Sequence, residues 1–73
     1  MDTKKQFDFG ECLRDLRTEK GWYQQDLAKL LNTSQDTISL WERGKSLPDF
    51  MSFRKLAQIF QVSADYLLGL TEY

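Results

Sequence analysis

Residues that interrupt helices divide this chain of 73 residues into short segments, and their spacing restricts the fold more than any other feature of the sequence. Between the interruptions, apolar residues recur every three or four positions, which is the period of a helix with one buried face. The interrupting residues are Gly21, Gly44, Pro48 and Gly69, with Gly10 near the first helix start. We therefore predict an all-α fold, a compact bundle of five short helices.

The first two predicted helices each end at a residue that can leave helical geometry. The first runs from about residue 7 or 9 to residue 20, before Gly21, and the second from 24 to 31, before Asn32, which can adopt the left-handed conformation. The residues expected to face the core are Phe9, Leu13 and Leu16 in the first helix and Leu27, Ala28, Leu30 and Leu31 in the second.

The other three predicted helices begin at residues that can cap backbone N–H groups or start a helix. Ser34 opens the third, at about 34–43, Pro48 and Asp49 open the fourth, and Ser63 opens a short fifth. The residues expected to face the core are Ile38 and Trp41, then Phe50, Phe53, Leu56, Ala57 and Phe60, then Leu67 and Leu68. Residues 9–70 are thus expected to form one domain, between a partly flexible arm (1–8) and a tail (71–73).

The residue types that are missing restrict the function before any motif is considered. The chain has no histidine and only one cysteine, Cys12, so neither an internal disulfide nor a zinc site is expected. Because Cys12 also lacks a histidine base, we expect no enzyme, metal or cofactor, and a half-buried Cys12 in the core. No apolar run is long enough for a signal segment or a membrane span, which favours a soluble cytoplasmic protein.

The overall charge argues against a nucleic-acid partner. Ten Lys and Arg residues face eleven Asp and Glu residues, a net charge of -1, whereas nucleic-acid-binding domains usually carry a basic surplus. Affinity for phosphates depends, however, on the charges of the contacting surface and not on the sum over the chain. The positions of the charges must therefore decide this question.

The segment 24–41 has the most specific pattern in the chain: a two-turn helix, a tight turn at Asn32 and a second, capped helix. This is the pattern of a helix-turn-helix unit. Small Ala28 would let the two helices cross closely, while Ile38 and Trp41 would hold the second helix on the core. The residues then left pointing outward are Gln35, Asp36, Ser39, Leu40 and Arg43.

Over nearly its whole length the sequence resembles the Cro and phage-repressor type of helix-turn-helix family, the lambda-repressor-like DNA-binding domains. The matching stretches are LRDLR at 13–17, GWYQQDLA at 21–28, SQDTISLWERG at 34–44, Pro48, KLA at 55–57 and VSADYLLG at 62–69. The resemblance implies a transcriptional regulator, expected to be a repressor, whose third helix lies in the major groove of double-stranded DNA. It also implies a homodimer that reads a palindromic operator.

Transferred by position, the resemblance implies roles for individual side chains. Those expected at base edges are Gln35, Asp36, Ser39 and Leu40. Those expected at phosphates are Tyr23, Gln24, Thr37, Arg43 and Lys45. Arg17 and Glu42 are expected to form an ion pair that braces the recognition helix without contacting DNA. Tyr23 stands where the family usually has Ser or Thr, so the second helix is expected to lack a side-chain cap.

Several of these residues also have an ordinary structural interpretation. Asp36 fits either a cytosine contact or the dipole of a helix N-terminus, and Leu40 fits either a base contact or a dimer contact. Dimer contacts are expected around Tyr66, Leu70 and Tyr73, unless Tyr66 is only a solvent-facing aromatic and the tail is frayed. A second function also stays open, namely a helix-turn-helix module that contacts a protein partner and binds no DNA.

Overall fold

A computed structural model describes residues 6–70, and every regular element in that range is a helix. The elements are α1 (Phe9–Glu19), α2 (Gln24–Leu31), α3 (Gln35–Glu42), α4 (Phe50–Phe60) and α5 (Ala64–Leu68). The predicted all-α bundle of five short helices is therefore confirmed. α3 ends before Gly44, with Arg43 as its C-cap residue. None of the helices in this range has the length and apolar character needed to cross a membrane.

Each of the five helices contributes one side chain with no exposed surface to a common core. These side chains are Leu13, Leu27, Ile38, Leu56 and Leu67, in the order of the helices. Burying a side chain of this size stabilises the fold by about 1.5–3 kcal/mol. The five-residue helix α5 is too short to be stable by itself, so its position depends on the packing of Leu67.

Four of the five helices begin with a side chain that accepts a hydrogen bond from the backbone N–H three residues later. The capping residues are Asp8, Ser34, Asp49 and Ser63, with distances of 3.2, 3.2, 2.9 and 3.0 Å. Hydrogen bonds from Ser52 also hold the pKa of the Asp49 carboxyl below its ordinary value. These local bonds define where the helices start.

Three side chains that were predicted to face the core are exposed instead: Leu30 (53%), Phe50 (75%) and Leu68 (53%). A helix advances 100° per residue, so a short helix that packs on one side buries only a narrow stripe. Leu27 and Leu31 occupy that stripe in α2, and Leu30 lies at its edge. Phe50 and Leu68 are the first residue of α4 and the last of α5, where the neighbouring helices no longer cover them.

The first helix passes very close to the end of α3 at Gly10, which is buried. A Cβ atom on Gly10 would overlap the backbone carbonyl of Glu42 and would lie 2.8 Å from the backbone oxygen of Trp41. Backbone atoms cannot rotate away as a flexible side chain can. Only glycine therefore allows α1 to approach α3 this closely.

We expect Gly10→Ala to destabilise the protein by about 1–3 kcal/mol, the usual range for overpacking. At an exposed helix position the same change would stabilise by roughly 1 kcal/mol. Urea denaturation measures the difference, with Gln58→Ala on the exposed side of α4 as the control that should stay within about 0.5 kcal/mol of the parent. A Gly10→Ala variant with unchanged stability would contradict the close contact.

Candidate nucleic-acid interface

A tight turn joins α2 to α3 and fixes the angle between them. Asn32 adopts the predicted left-handed conformation, with φ 58° and ψ 46°, and the N–H of Thr33 donates to the carbonyl of Ala28 at 2.9 Å. Ser34 then caps α3. Ala28 is 3% exposed, so a larger side chain there would have no room between the packed helices.

Helix α3 has one buried and one exposed face. Ile38 and Trp41 lie in the core, at 0% and 5% exposure. The exposed side chains are Gln35, Asp36, Leu40 and Arg43, and Ser39 is half-buried beside them. The four residues expected at base edges therefore lie on or beside one exposed, largely polar surface of α3.

Arg17 of α1 and Glu42 at the end of α3 form a two-pronged ion pair. Nε of Arg17 donates to Oε2 of Glu42 at 2.7 Å, and Nη2 donates to Oε1 at 3.0 Å. The third guanidinium nitrogen, Nη1, donates to the backbone oxygen of Trp22 at 2.8 Å. The hydrogen bonds to Glu42 raise the pKa of Arg17 above its ordinary value. The pair thus connects α1, the segment before α2, and α3.

A chain of side-chain hydrogen bonds continues from this ion pair to the start of α3. Nε2 of Gln24 donates to Oε1 of Glu42 at 3.1 Å. Nε2 of Gln35 in turn donates to Oε1 of Gln24 at 3.2 Å. No local sequence pattern indicates the contact between Gln24 and Glu42, because it joins the first turn of α2 to the last residue of α3 across a tertiary contact.

The residues expected at phosphates lie around this surface, with different surroundings. Tyr23 is 79% exposed and makes no capping bond through its side chain, and the Asp26 carboxylate instead accepts from the Tyr23 N–H at 2.7 Å. Nε of Arg43 donates to the hydroxyl of Ser39 at 3.1 Å. Lys45 is exposed, whereas Thr37 is half-buried and shares a 3.0 Å hydroxyl contact with the cap residue of α3.

The residues expected at the dimer contact lie in three different environments. Tyr66 is half-buried and hydrogen-bonds the thiol of Cys12, so its side chain is turned toward α1. Leu70 is 70% exposed, and Tyr73 lies outside the described residues. Burial raises the pKa of the Cys12 thiol. Within residues 6–70, no group of three or more His, Cys, Asp or Glu side chains could hold a metal ion.

An open apolar groove of about 800 Å³ lies between the N-terminal segment, α4 and α5. Its rim carries exposed apolar side chains: Phe7 (48%), Leu47 (74%), Phe50 (75%) and Leu68 (53%). Among residues 6–70, Arg54 is the only charged residue that lines it. An apolar groove with exposed apolar side chains at its rim can serve as an interaction site. We call this cavity, together with the four exposed apolar side chains at its rim, the apolar groove.

Residues 13–67 of this chain match the family described as Helix-turn-helix. The HTH-type transcriptional activator BcrR of Enterococcus faecalis is 41% identical over 62 residues, which are 85% of this chain and 30% of BcrR. The SPbeta prophage-derived HTH-type transcriptional regulator YonR of Bacillus subtilis is 42% identical over 60 residues, which are 82% of this chain and 56% of YonR. This chain therefore spans only part of the length of both relatives. Both relatives are named for transcriptional regulation, and neither name describes an enzyme.

A solved structure also has this fold. The P22 c2 repressor, crystallised in complex with a synthetic operator, superimposes with a TM-score of 0.84 at 32% sequence identity. The match covers 90% of this chain and 100% of the repressor chain. The agreement therefore extends over almost the whole bundle.

We expect Arg17→Ala to destabilise the protein by about 3 kcal/mol, because it leaves the Glu42 carboxylate buried without its partner. The side chains of Arg17 and Glu42 are only 12% and 2% exposed. Arg14→Ala is the matched control, since Arg14 lies 3.8 Å from the same carboxylate but its side chain is 51% exposed. The Tm of each variant is measured by thermal unfolding. Equal decreases in the Tm of Arg17→Ala and Arg14→Ala, or no decrease in either, would contradict this assignment.

Proposed function

This chain belongs to the helix-turn-helix family, and on that basis we propose that it is the DNA-reading domain of a transcriptional regulator. In this proposal α3 lies in the major groove of double-stranded DNA and α2 crosses the sugar-phosphate backbone. The observation that carries the proposal is the two-sided character of α3, which has Ile38 and Trp41 in the core and a polar, exposed opposite face. The chemistry of that face matches the edges of base pairs.

Each exposed residue of α3 has a suitable base-edge partner. Gln35 can pair with adenine through its amide, Asp36 can accept from the amino group of cytosine, and Leu40 can pack on a thymine methyl group. The hydroxyl of Ser39 accepts from Arg43 and can still donate its own proton to a base acceptor. These four residues supply the sequence preference in the proposal.

Affinity would come from contacts with the phosphates. Arg43 and Lys45 provide positive charge just after the base-reading surface, and Tyr23, Gln24 and Thr37 provide uncharged donors. The backbone N–H groups at the start of α3 add the positive end of a helix dipole. The chain can therefore bind DNA despite a net charge of -1, because two of its cations, Arg43 and Lys45, follow α3 at the proposed reading surface.

Repression and a cytoplasmic location stay predictions within this proposal. The P22 c2 protein is named a repressor, whereas BcrR is named an activator, so the direction of regulation differs among similar proteins. Activation and repression both require that the regulator first binds its DNA site.

Fluorescence anisotropy with duplexes selected from a randomised pool tests DNA binding. We expect log K to fall linearly with log salt, and Lys45→Ala to reduce that slope by about 1, because one phosphate contact is lost. Lys55→Ala, an exposed lysine on α4, is the control that should leave the slope unchanged. A flat salt response, or no binding at low salt, would overturn the proposal in favour of a protein-interaction module.

We further propose that two copies of this domain associate through the apolar groove to read a palindromic operator. A two-fold interface uses the same surface on both copies, so the exposed rim of one groove can enter the groove of the other. Of the rim residues, Leu47 lies in the segment between α3 and α4, and Phe50 is the first residue of α4. Leu70, expected at the dimer contact from the sequence, is exposed just after α5, the helix that carries Leu68 of the rim.

Sedimentation of the protein, alone and on a duplex with two half-sites, tests the dimer. We expect Leu47→Glu to weaken association by at least about tenfold, since it places charge in an apolar contact. The control Leu30→Glu makes the same substitution on the exposed side of α2 and should leave association unchanged. Two wild-type molecules that bind the half-sites without associating would contradict the proposal that the groove is the interface. Equal effects of Leu47→Glu and Leu30→Glu on association would contradict it as well.

A further inference from the structure

We propose that the apolar groove binds a small aromatic carboxylate, and that this ligand competes with a second copy of the domain for the same space. Ligand binding depends only on the groove of a single domain. The competition rests on the proposed dimer, in which the rim of one copy enters the groove of the other. The ligand then acts as an effector that separates the two copies.

The volume and lining of the groove are those of a small-molecule site. Its volume of about 800 Å³ falls in the range of roughly 300–1,000 Å³ that is usual for sites of small ligands. Such sites are mostly apolar and carry a few polar groups that fix the orientation of the ligand. Within residues 6–70, ten apolar residues and Arg54 line this groove. The lining therefore fits a ligand that is apolar except at one end.

Aromatic side chains dominate the apolar part of the lining. Four of the five phenylalanines in the chain line the groove: Phe7, Phe9, Phe50 and Phe53. The ring centroids of Phe9 and Phe53 lie 6.1 Å apart, with an angle of 36° between the ring planes. Tilted or offset rings at about 4.5–7 Å attract one another beyond the burial of their surface. A flat aromatic ligand can make such contacts with several of these rings, which favours an aromatic body over an aliphatic one.

Arg54 determines the charge of the ligand. Its side chain is exposed on α4, lines the groove and forms no ion pair with any of residues 6–70. A guanidinium group can donate two parallel hydrogen bonds to one carboxylate. The same group repels an ammonium ion. The ligand that fits both the rings and Arg54 is therefore an aromatic carboxylate.

The ligand and a second copy of the domain need the same space. In the proposed dimer, Leu47 and Phe50 at the rim of one copy enter the groove of the other. A ligand against Phe53 and Ala57 fills the space that those side chains need. Because the two events are linked, dimerisation weakens ligand binding by the same factor by which the ligand weakens dimerisation.

Methyl spectra of the ¹³C-alanine-labelled protein, titrated with 2-naphthoate, locate the binding site. The chain has three alanines, of which Ala57 and Ala64 line the groove and Ala28 is buried in α2. We expect 2-naphthoate to shift the signals of Ala57 and Ala64 and to leave that of Ala28 in place. No shift up to about 10 mM ligand, or equal shifts of all three signals, would overturn the proposal.

The role of Arg54 is tested with the uncharged analogue 2-naphthamide. We expect the wild-type protein to bind 2-naphthoate about fivefold more tightly than the amide, the upper range for an exposed ion pair. Arg54→Gln should bind both probes equally. Lys55→Gln removes the same charge from the next residue of α4, which does not line the groove, and should keep the fivefold preference. A preference that survives in Arg54→Gln would refute the assignment of the carboxylate.

Sedimentation with and without 2-naphthoate tests the competition. We expect saturating 2-naphthoate to weaken association of the wild-type protein by at least about tenfold, with the amide at the same concentration less effective. Association that is unchanged while the alanine signals show a bound ligand would refute the competition. A protein that binds 2-naphthoate but never dimerises would refute the proposed dimer, and with it the competition, while the ligand site stands.

Discussion

The buried ion pair between Arg17 and Glu42 is the interaction on which the position of α3 depends. It connects α1 to the C-terminal end of α3 and also holds the chain just before α2 through the carbonyl of Trp22. Two charges taken out of water are stable only when both are well hydrogen-bonded, so the three segments must meet in one arrangement. Gly10 allows that arrangement, because its missing side chain lets the backbones of α1 and α3 come together.

This interaction also bears on the proposed DNA binding, because the net charge of the whole chain does not describe the charge of one surface. Several carboxylates serve the fold: Glu42 is neutralised by Arg17, Asp8 and Asp49 cap helices, and Asp26 accepts from the backbone before α2. Carboxylates held in this way contribute little repulsion toward a phosphate backbone, since they are paired or lie at helix N-termini. The cations near the exposed face of α3 can then dominate locally.

Much of the fold could be predicted because helix starts and ends are local. Ser34 and Ser63 cap helices through hydrogen bonds that span three residues. Asn32 ends α2 because asparagine tolerates the left-handed backbone conformation. The sidedness of short helices was harder to predict, and Leu30 and Phe50 are exposed although both continue an apolar pattern. An apolar residue at a helix end or stripe edge is buried only if another element covers it, and the pattern of one helix does not contain that information.

The sequence by itself determined five helices, the turn at Asn32 and the set of polar residues on α3, because each depends on neighbours within a few positions. Only the tertiary structure decided that Gln24 bonds Glu42 and that Gln35 bonds Gln24. Those contacts join residues 18 and 11 positions apart, and they form only when α2 and α3 pack against each other. A side chain's place on a helix follows from local periodicity, whereas its hydrogen-bond partner follows from which helices meet.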